Sequence, residues 1–374
     1  MAISKSVIQP GEKRKDRKST KLKVERKNPR KAFIWGIALL AMTIILQIAA
    51  RKIEGFATWY ATVVYPFLAG IEGAFWNLIP FPVAELILYL LIIVFIIYLI
   101  RFWGKPMGQR CRQILSVALP LLLFLYTING GINYYAKPFI QYAGLQPENY
   151  TKEELVDFCE FLVRQINDTV TEDSYRDNRK EWQQEGIRAV KRVGEQYNCM
   201  SGFYPVPKTA IAPSVMSAQR LRGIYIPFTM EVYWNGDMPD YNIPHTICHE
   251  LSHAKGFMRE DEAGFIGYLA CIGSENQAFR YSGYLTGWEY AGNALAQVDM
   301  EAYRALSNQL KPQVKEDLKE NNSFWSSYGG IVEHAARTYR DTYFKMNGQE
   351  DGIQSYNRVV DLMIAHYTGT EEDI

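Results

Sequence analysis

Histidine and net charge are both scarce in this sequence. The 374 residues include five histidines, and the formal net charge at pH 7 is +1. A net charge this small gives no reason to expect nucleic acid or acidic substrates as partners. The sequence also lacks a GxxxxGK[ST] loop, which argues against an ATP-driven enzyme, and no other feature indicates a nucleotide, flavin or haem cofactor.

Cysteine is scarce as well, with five residues in the chain. Cys159 and Cys199 could meet in one folded domain, but nothing in their spacing requires a disulfide. We therefore predict free thiols rather than a disulfide framework.

Long uncharged segments are abundant by comparison. Ala32–Ala50 carries no charge, Val83–Ile100 carries only Glu85, and Ile114–Ile132 carries none. Each segment is long enough to cross about 30 Å of hydrocarbon as a helix. A signal peptide ending at Ala49–Ala50 is an alternative for the first segment, but its 31-residue leader is long and two more segments follow. The sequence therefore predicts an integral membrane protein with spans at about 32–50, 83–100 and 114–132.

The basic residues predict how these spans are oriented. Residues 1–31 contain twelve Lys or Arg against three acidic residues, and the loop 101–112 contains four more. Because positively charged segments stay in the cytoplasm, we predict a cytoplasmic tail (1–31), a three-span membrane domain (32–133) and an extracytoplasmic domain (134–374) in a bacterial cell membrane. The connection from Glu54 to Pro82 is apolar and aromatic, which predicts a position at the headgroup interface or a re-entrant element.

The outer domain is predicted to be mainly α-helical with a small β-sheet. Thr151–Glu154 is a capping box that opens one helix, and a second, polar helix is predicted over 173–197. The segment RGIYIPFTMEVYWNG alternates apolar and polar residues as short strands do. Helices are predicted to resume at about Pro244 and to continue almost to the end, with interruptions at about 320–330 and 347–352.

Three of the five histidines lie within residues 245–253. His249, Glu250 and His253 form an HExxH pattern, in which both imidazoles lie on one helix face and can reach one ion. Zn²⁺ suits such ligands, and Glu250 would stand beside it as a general base that takes a proton from a water molecule. We interpret the pattern as a zinc site rather than as a coincidental polar helix face.

A catalytic zinc needs a third protein ligand, and Glu260 is the first candidate. Glu260 lies seven residues after His253, which is about 10 Å along a straight helix and too far for one ion. We therefore predict that the first helix ends at Gly256 and that a second helix from about Arg259 brings the carboxylate back.

Two other acidic residues stay open as the third ligand. Glu275 ranks second, and Glu262 ranks third because it lies about 200° round the helix from Glu260. The small residues Ala263 and Gly264 share a face with Glu260, which predicts close packing of the second helix against the first.

Several polar groups near the motif have open roles. His245 is either a partner of the site or simply the opening of a helix after Pro244. The segment GIYIPFTMEVYW is predicted to offer a sheet edge to an extended substrate, since Pro227 is tolerated only on an edge. A group that stabilises the oxyanion is expected opposite the base. The candidates are Tyr356, His334 and Tyr233.

The two motifs together resemble the glutamate-ligand zinc metallopeptidases, which combine HExxH with ExxA. These include the membrane-embedded prenyl-protein endopeptidases and the β-lactam sensor-transducers, whose second motif is ExxAD. The resemblance implies a zincin-like domain with His249, His253 and Glu260 as zinc ligands and Glu250 as the base. This sequence departs from the pattern at Gly264, which stands in place of the Asp, and in a shorter gap between the motifs.

The sequence also resembles an uncharacterised family of bacterial membrane proteins that join three N-terminal spans to the string HELxHxxGFxREDEAxFxxYLAC. That string is present here as His249–Cys271, with RYSGYL at 280–285 and DGIQSYNRVVDL at 351–362. The resemblance covers nearly the whole chain after the basic leader. It implies the architecture, whereas catalysis is implied only by the motif.

These observations lead to a main hypothesis and its alternatives. The main hypothesis is a membrane-anchored, zinc-dependent metallopeptidase whose partners are the lipid bilayer and a protein or peptide substrate, with no role for nucleic acid. The first alternative is a zinc-binding membrane scaffold or sensor without proteolytic activity, and the second is a structural membrane protein without metal. Cleavage inside the membrane is disfavoured because the sequence around HExxH is polar. The sequence does not determine the oligomeric state.

Overall fold

The computed structural model describes residues 29–104, 107–146, 150–170, 179–349 and 358–372. Its helices are α1 (Pro29–Lys52), α2 (Phe56–Trp59), α3 (Tyr65–Asn77), α4 (Val83–Phe102), α5 (Gln109–Tyr126), α6 (Phe139–Ala143), α7 (Lys152–Thr169), α8 (Arg179–Gln196), α9 (Pro213–Ala218), α10 (Asn242–Lys255), α11 (Glu260–Ile272), α12 (Gln277–Val298), α13 (Met300–Gln309), α14 (Pro312–Ser326), α15 (Ile331–Met346) and α16 (Arg358–Glu372). Its strands are β1 (Lys208–Thr209), β2 (Gly223–Ile226) and β3 (Glu231–Trp234). The prediction of a mainly helical protein with a small sheet is confirmed.

Three helical segments are long and apolar enough to cross a membrane, as the sequence predicts. They are Lys31–Lys52, Val83–Phe102 and Gln109–Tyr135. Helices α1 and α5 touch through backbone, because a Cβ on Gly36 would collide with the Ser116 carbonyl oxygen. Helix α4 buries none of its side chains. In the described part of the chain, α4 thus presents an apolar surface on every side.

The apolar connection between the first two spans is helical. Helix α2, a π-helical turn (Tyr60–Val64) and α3 follow one another without a break over residues 56–77. One side of this segment is buried, with Tyr65 and Ala69 in the core and the Phe203 ring against Gly73. The segment therefore packs between the apolar helices and the rest of the protein.

The small sheet has the strand order β1-β3-β2, with β1 parallel and β2 antiparallel to β3. The RGIYIPFTMEVYWNG segment, for which one or two short strands are predicted, forms two strands, β2 and β3. Pro227 directly follows the last residue of β2, so it removes no hydrogen bond from the interior of the sheet. Strand β2 lies at the edge, which agrees with the prediction for this segment.

A buried ion pair fastens the sheet to helix α4. Lys208 on β1 and Glu231 on β3 pair at 2.7 Å, with 5% and 3% of their side chains exposed. Glu231 also accepts the backbone N–H groups of Val83 and Ala84, which are the first two of α4. Burial alone would raise the pKa of Glu231, but Lys208 and the other donors lower it below the usual value. In return, Glu85 of α4 accepts two backbone N–H groups of the segment after β1.

We expect Lys208→Met to destabilise the protein by about 3–5 kcal/mol, because it leaves the Glu231 carboxylate buried without its cation. A fall in the melting temperature of the detergent-solubilised protein would measure the effect. Lys152→Met is the control, since Lys152 pairs with Asp299 on the exposed surface and its loss should change little. Equal melting temperatures for the two variants would show that the buried pair contributes nothing to stability.

Helix α10 lies at the centre of the part of the protein that follows the apolar helices, and several elements approach it closely at small residues. A Cβ on Gly186 of α8 would meet Ile247, and a Cβ on Gly223 of β2 would meet Glu250. Helix α12 binds the start of α10, because Ser282 Oγ accepts the N–H of His245. The sequence segment that carries HExxH is therefore the core helix of this part of the protein.

The helix boundaries agree with the predictions in part. The capping box at Thr151 and Glu154 is present, and the helix predicted over 173–197 is α8, with residues 171–178 outside the described part. Helix α10 begins at Asn242, close to the predicted start. The predicted interruption at 320–330 is wrong in extent, because α14 continues to Ser326 and the break covers only 327–330.

Three further breaks between consecutive helices were not predicted. Helix α11 ends before Gly273, α12 ends before Asp299, and α14 begins at Pro312. Asp299 accepts the Ala302 N–H and so caps the start of α13. The interruption predicted at 347–352 begins where α15 ends at Met346, and its residues from 350 lie outside the described part. All five cysteines are free thiols, as predicted.

Candidate metal centre

Helix α10 ends at Gly256, as the sequence predicts. Gly256 has a left-handed φ of 110°, which glycine adopts without the strain of a side chain. Its N–H donates to the His253 carbonyl at 2.9 Å, and the Phe257 N–H donates to the Ser252 carbonyl at 3.1 Å. This pair of bonds is the Schellman arrangement that stops a helix and reverses the chain.

Helix α11 then begins at Glu260 and brings the carboxylate back to the two histidines. Glu260 Oε2 lies 3.1 Å from His249 Nε2, and Glu260 Oε1 lies 3.7 Å from His253 Nε2. One ligand atom from each of the three residues lies within 4.8 Å of the other two. Among the described residues, this is the one grouping of three or more His, Cys, Asp or Glu with such a spacing.

The His253 ring is held in a fixed orientation. Its Nδ1 hydrogen bonds to the Phe257 carbonyl at 2.8 Å, which leaves Nε2 directed at Glu260. A hydrogen bond from the other ring nitrogen to a carbonyl is the usual way in which proteins orient a metal-ligating histidine. The same turn that ends α10 therefore also positions one of the candidate ligands.

The close approach of α11 to α10 occurs at Gly267. A Cβ at Gly267 would lie 3.2 Å from both His245 Nε2 and the His249 backbone nitrogen. Gly264 faces Val359 of α16 instead, so its predicted role in the packing of α11 against α10 is wrong. The carbonyl of Gly264 does contact α10, because it lies 3.2 Å from His245 Nε2.

The two competing acidic residues lie away from the cluster. Glu262 accepts the Phe139 backbone N–H at 3.0 Å. Glu275 pairs with Arg192 at 3.1 Å, and 91% of its side chain is exposed. Of the three acidic candidates, only Glu260 is brought to the histidines.

Glu250 lies beside the cluster and under the edge strand β2. Its side chain is buried, and burial raises its pKa to about 8, although the charge of His253 and the Tyr225 backbone N–H lower it. A Cβ at Gly223 would lie 2.6 Å from Glu250 Oε1. The absence of a side chain at Gly223 therefore creates the space in which this carboxylate lies.

We expect Gly223→Ala to displace the Glu250 side chain, because the added Cβ would lie 2.6 Å from both Glu250 Cγ and Glu250 Oε1, and it would also press on the Thr246 methyl at 2.7 Å. A displacement of about 1 Å can cost on the order of 10²-fold in the rate of a reaction that depends on the group. Zinc binding should persist, since the substitution removes none of the three candidate ligands. Paired measurements of hydrolysis and zinc content would check this, and an unchanged rate would show that the position of Glu250 is not limiting.

The three candidate ligands form a buried group of uneven charge. Burial lowers the pKa of His249 despite its contact with Glu260, whereas Glu260 and Glu250 raise the pKa of His253 to about 9 against the effect of burial. Burial would raise the pKa of Glu260, but the two imidazoles lower it far more strongly. A buried carboxylate between two imidazoles needs a positive charge beside it, and either a proton or a metal ion supplies that charge.

A family model described as "Protein of unknown function (DUF3810)" matches residues 60–364. The chain belongs to this family. The match includes the apolar helices α4 and α5 and the whole group His249, His253 and Glu260, whereas α1 lies before its first residue. Searches of curated proteins and of solved structures gave no match.

Of the four other polar candidates, the structure describes His245, Tyr233 and His334. His245 is buried against the Gly264 carbonyl, and burial lowers its pKa to about 3, so it is a neutral residue that joins α10 to α11. Tyr233 donates to Glu231 at 2.5 Å, within the junction with α4. His334 is exposed on α15, and Tyr356 lies outside the described residues.

Two residues near the cluster were missed by the sequence analysis. Arg222 precedes β2, binds Glu289 of α12 at 2.9 Å, and its charge lowers the pKa of His249. Tyr290 lies next to Glu289, and its pKa of about 12 reflects burial first and then the charges of Arg222, Glu289 and Glu260. Neither residue belongs to a recognisable motif. The tertiary packing of α12 brings them to the site, and local spacing contains no signal for that packing.

Proposed function

We propose that this chain is a membrane-anchored, zinc-dependent metallopeptidase. The observation that carries the proposal is the convergence of His249, His253 and Glu260 beside the buried carboxylate of Glu250. Two imidazoles, one carboxylate and an open fourth position form a ligand set that catalytic zinc sites use.

The spacing of the cluster fits a zinc ion. Donor atoms about 2.1 Å from a tetrahedral ion lie about 3.4 Å from each other. The two carboxylate oxygens of Glu260 lie 3.1 Å and 3.7 Å from the nearest imidazole nitrogens, and one ligand atom from each of the three residues lies within 4.8 Å of the other two. His249, His253 and Glu260 would hold the ion once their side chains close to tetrahedral spacing.

When bound, zinc would lower the pKa of a water molecule and polarise the carbonyl of the bond to be cleaved. With zinc in place, Glu250 would accept the proton of that water and pass it to the leaving amine. Its position, one residue after His249 and against Gly223, keeps it near the cluster without making it a ligand. Edge strand β2 runs past this carboxylate and offers backbone groups to an extended peptide.

The proposal extends to the arrangement of the chain in the cell. The domain over 134–374 is a zincin-like extracytoplasmic α+β domain, the membrane domain over 32–133 crosses a bacterial cell membrane three times, and the basic tail over 1–31 is cytoplasmic. The support is the distribution of Lys and Arg around the apolar helices.

A second function is favoured by one observation. Between 10% and 13% of each of the three candidate ligand side chains is exposed. Such burial is also compatible with a zinc ion that stabilises the fold of a membrane scaffold or sensor and meets no substrate.

Metal removal distinguishes these functions. We expect elemental analysis of the purified full chain to find one zinc per chain, and we expect a chelator to abolish peptide hydrolysis and added zinc to restore it. Peptide libraries and membrane-anchored peptides are suitable substrates. Stoichiometric zinc without any hydrolysis would support the scaffold or sensor, and a chain purified without metal would contradict both functions.

A further inference from the structure

The helical segment 56–77 connects two consecutive apolar helices, and both of its ends are short. Three residues separate Lys52 of α1 from Phe56, and five residues separate Asn77 from Val83 of α4. A segment between consecutive membrane spans begins and ends at the same membrane surface. Residues 56–77 therefore extend along that surface from the end of α1 to the start of α4.

One side of this segment is a stripe of exposed apolar side chains. Val63, Phe67, Ile71, Phe75 and Leu78 follow at intervals of four or three residues, and each is between 56% and 79% exposed. Residues that are spaced in this way lie on one face of a helix. The segment has a single charged residue, Glu72, and its carboxylate accepts the Asn129 amide rather than meeting solvent on the stripe. The stripe is therefore apolar along its whole length.

The other side of the segment supports the HExxH helix. The hydroxyl of Tyr65 donates to the Ala254 carbonyl at 2.8 Å. Ala254 is the next residue after His253, one of the three candidate ligands. The Tyr65 ring also packs against Gly256, where α10 ends. The candidate site thus lies within about one helix diameter, roughly 10 Å, of the segment that carries the stripe.

We propose that the stripe lies in the lipid at the membrane surface, and that the substrate is a polypeptide segment that emerges from the same membrane. The stripe continues through the exposed side chains of Leu78 and Phe81 to α4, which exposes apolar side chains along its length. A face that continues the apolar surface of a span belongs in the same lipid. The substrate class rests on the proposed function, whereas the lipid contact does not.

This arrangement restricts what can reach Glu250 and the ligands. A site held about two helix diameters above lipid, roughly 20 Å, meets chain segments next to the bilayer at high local concentration. A folded protein in bulk solution would have to approach between the domain and the membrane. The selective substrates are consequently proteins with a membrane anchor close to the cleaved bond.

The lipid contact is tested with the full-length Glu250→Gln chain in phosphatidylcholine vesicles. A photoreactive benzoylphenylalanine replaces Phe67 in one variant, Ile71 in a second and Val298 in a control. Val298 is 62% exposed, similar to the other two, but it lies at the end of α12. We expect lipid adducts at positions 67 and 71 and none at position 298. Protein adducts in place of lipid adducts at both stripe positions would overturn the contact and indicate a partner chain.

The substrate class is tested with the zinc-loaded, unsubstituted chain in the same vesicles. One peptide is supplied free in solution and, in a parallel reaction, attached to a lipid anchor. We expect the anchored form to be cleaved faster by about ten-fold or more, because confinement raises its effective concentration at the site. Phe67→Asp should reduce this advantage without changing cleavage of the free peptide. Equal rates for both forms would overturn the substrate class. Cleavage of neither would remove the proposed function, while the lipid adducts would still decide the membrane contact.

Discussion

Glu250→Gln is expected to abolish hydrolysis and to leave zinc binding intact. Glutamine has the shape of glutamate but cannot accept a proton, so the water and the leaving amine lose their proton carrier. General-base catalysis contributes on the order of 10²–10⁴-fold, which sets the expected loss of rate. The three candidate ligands are His249, His253 and Glu260, so the substitution removes none of them.

The measurement is a hydrolysis rate together with the zinc content of the same preparation. Glu275→Gln is the control, because Glu275 is exposed at the surface and pairs only with Arg192 among the described contacts. Full activity in the Glu250 variant would remove this residue from the mechanism. Loss of zinc in that variant would instead make Glu250 part of the metal-binding group.

The turn between α10 and α11 could be predicted from the sequence because a distance argument leaves one solution. Two imidazoles and a carboxylate can meet only if the helix stops between His253 and Glu260, and Gly256 is the residue there that stops helices readily. The three apolar segments are recognisable for a similar reason, since few folds other than a membrane span place so many apolar residues in one helix. Features that local constraints determine this strongly can be predicted without knowing how the helices pack.

The packing of α11 against its neighbours was not predictable in the same way. Gly264 and Gly267 are both small and lie within one helix turn of each other, and only the rotation of α11 decides which of them meets α10. The end of α14 is a similar case. Asn and Ser at 321–323 favour a break, but Phe324 and Trp325 pack against the core and keep the helix intact to Ser326.

Side chains that join distant parts of the chain were also beyond local reasoning. In the sequence, Lys208 and Glu231 look like two ordinary strand residues. In the structure they form an ion pair, and Glu231 accepts a hydrogen bond from the first residue of α4. Arg222 and Tyr290 lie 68 positions apart and become neighbours of the site only through α12. A charge buried by tertiary contacts leaves no periodic pattern in the sequence.

The second large effect concerns the third ligand, and the chain offers a matched pair to test it. Glu260→Gln is expected to weaken zinc binding by more than the roughly 10–100-fold that loss of an outer-sphere partner causes. Glu262→Gln should leave zinc binding unchanged, because its side chain accepts the Phe139 N–H and an amide oxygen can still do so. Competition with a chromogenic chelator measures both affinities.

Comparing Glu260→Gln with Glu262→Gln shows whether the position of the carboxylate matters, because the substitution is the same in both variants. Both variants replace one glutamate by glutamine in the first turn of α11, so they share the residue substitution and the change in helix propensity. They differ in whether the carboxylate faces His249 and His253 or the opposite side of the helix. A zinc affinity that falls in the Glu262 variant and persists in the Glu260 variant would contradict the cluster. Equal losses in both would point to a disturbed helix start, since an effect on a single ligand cannot be common to two opposite faces.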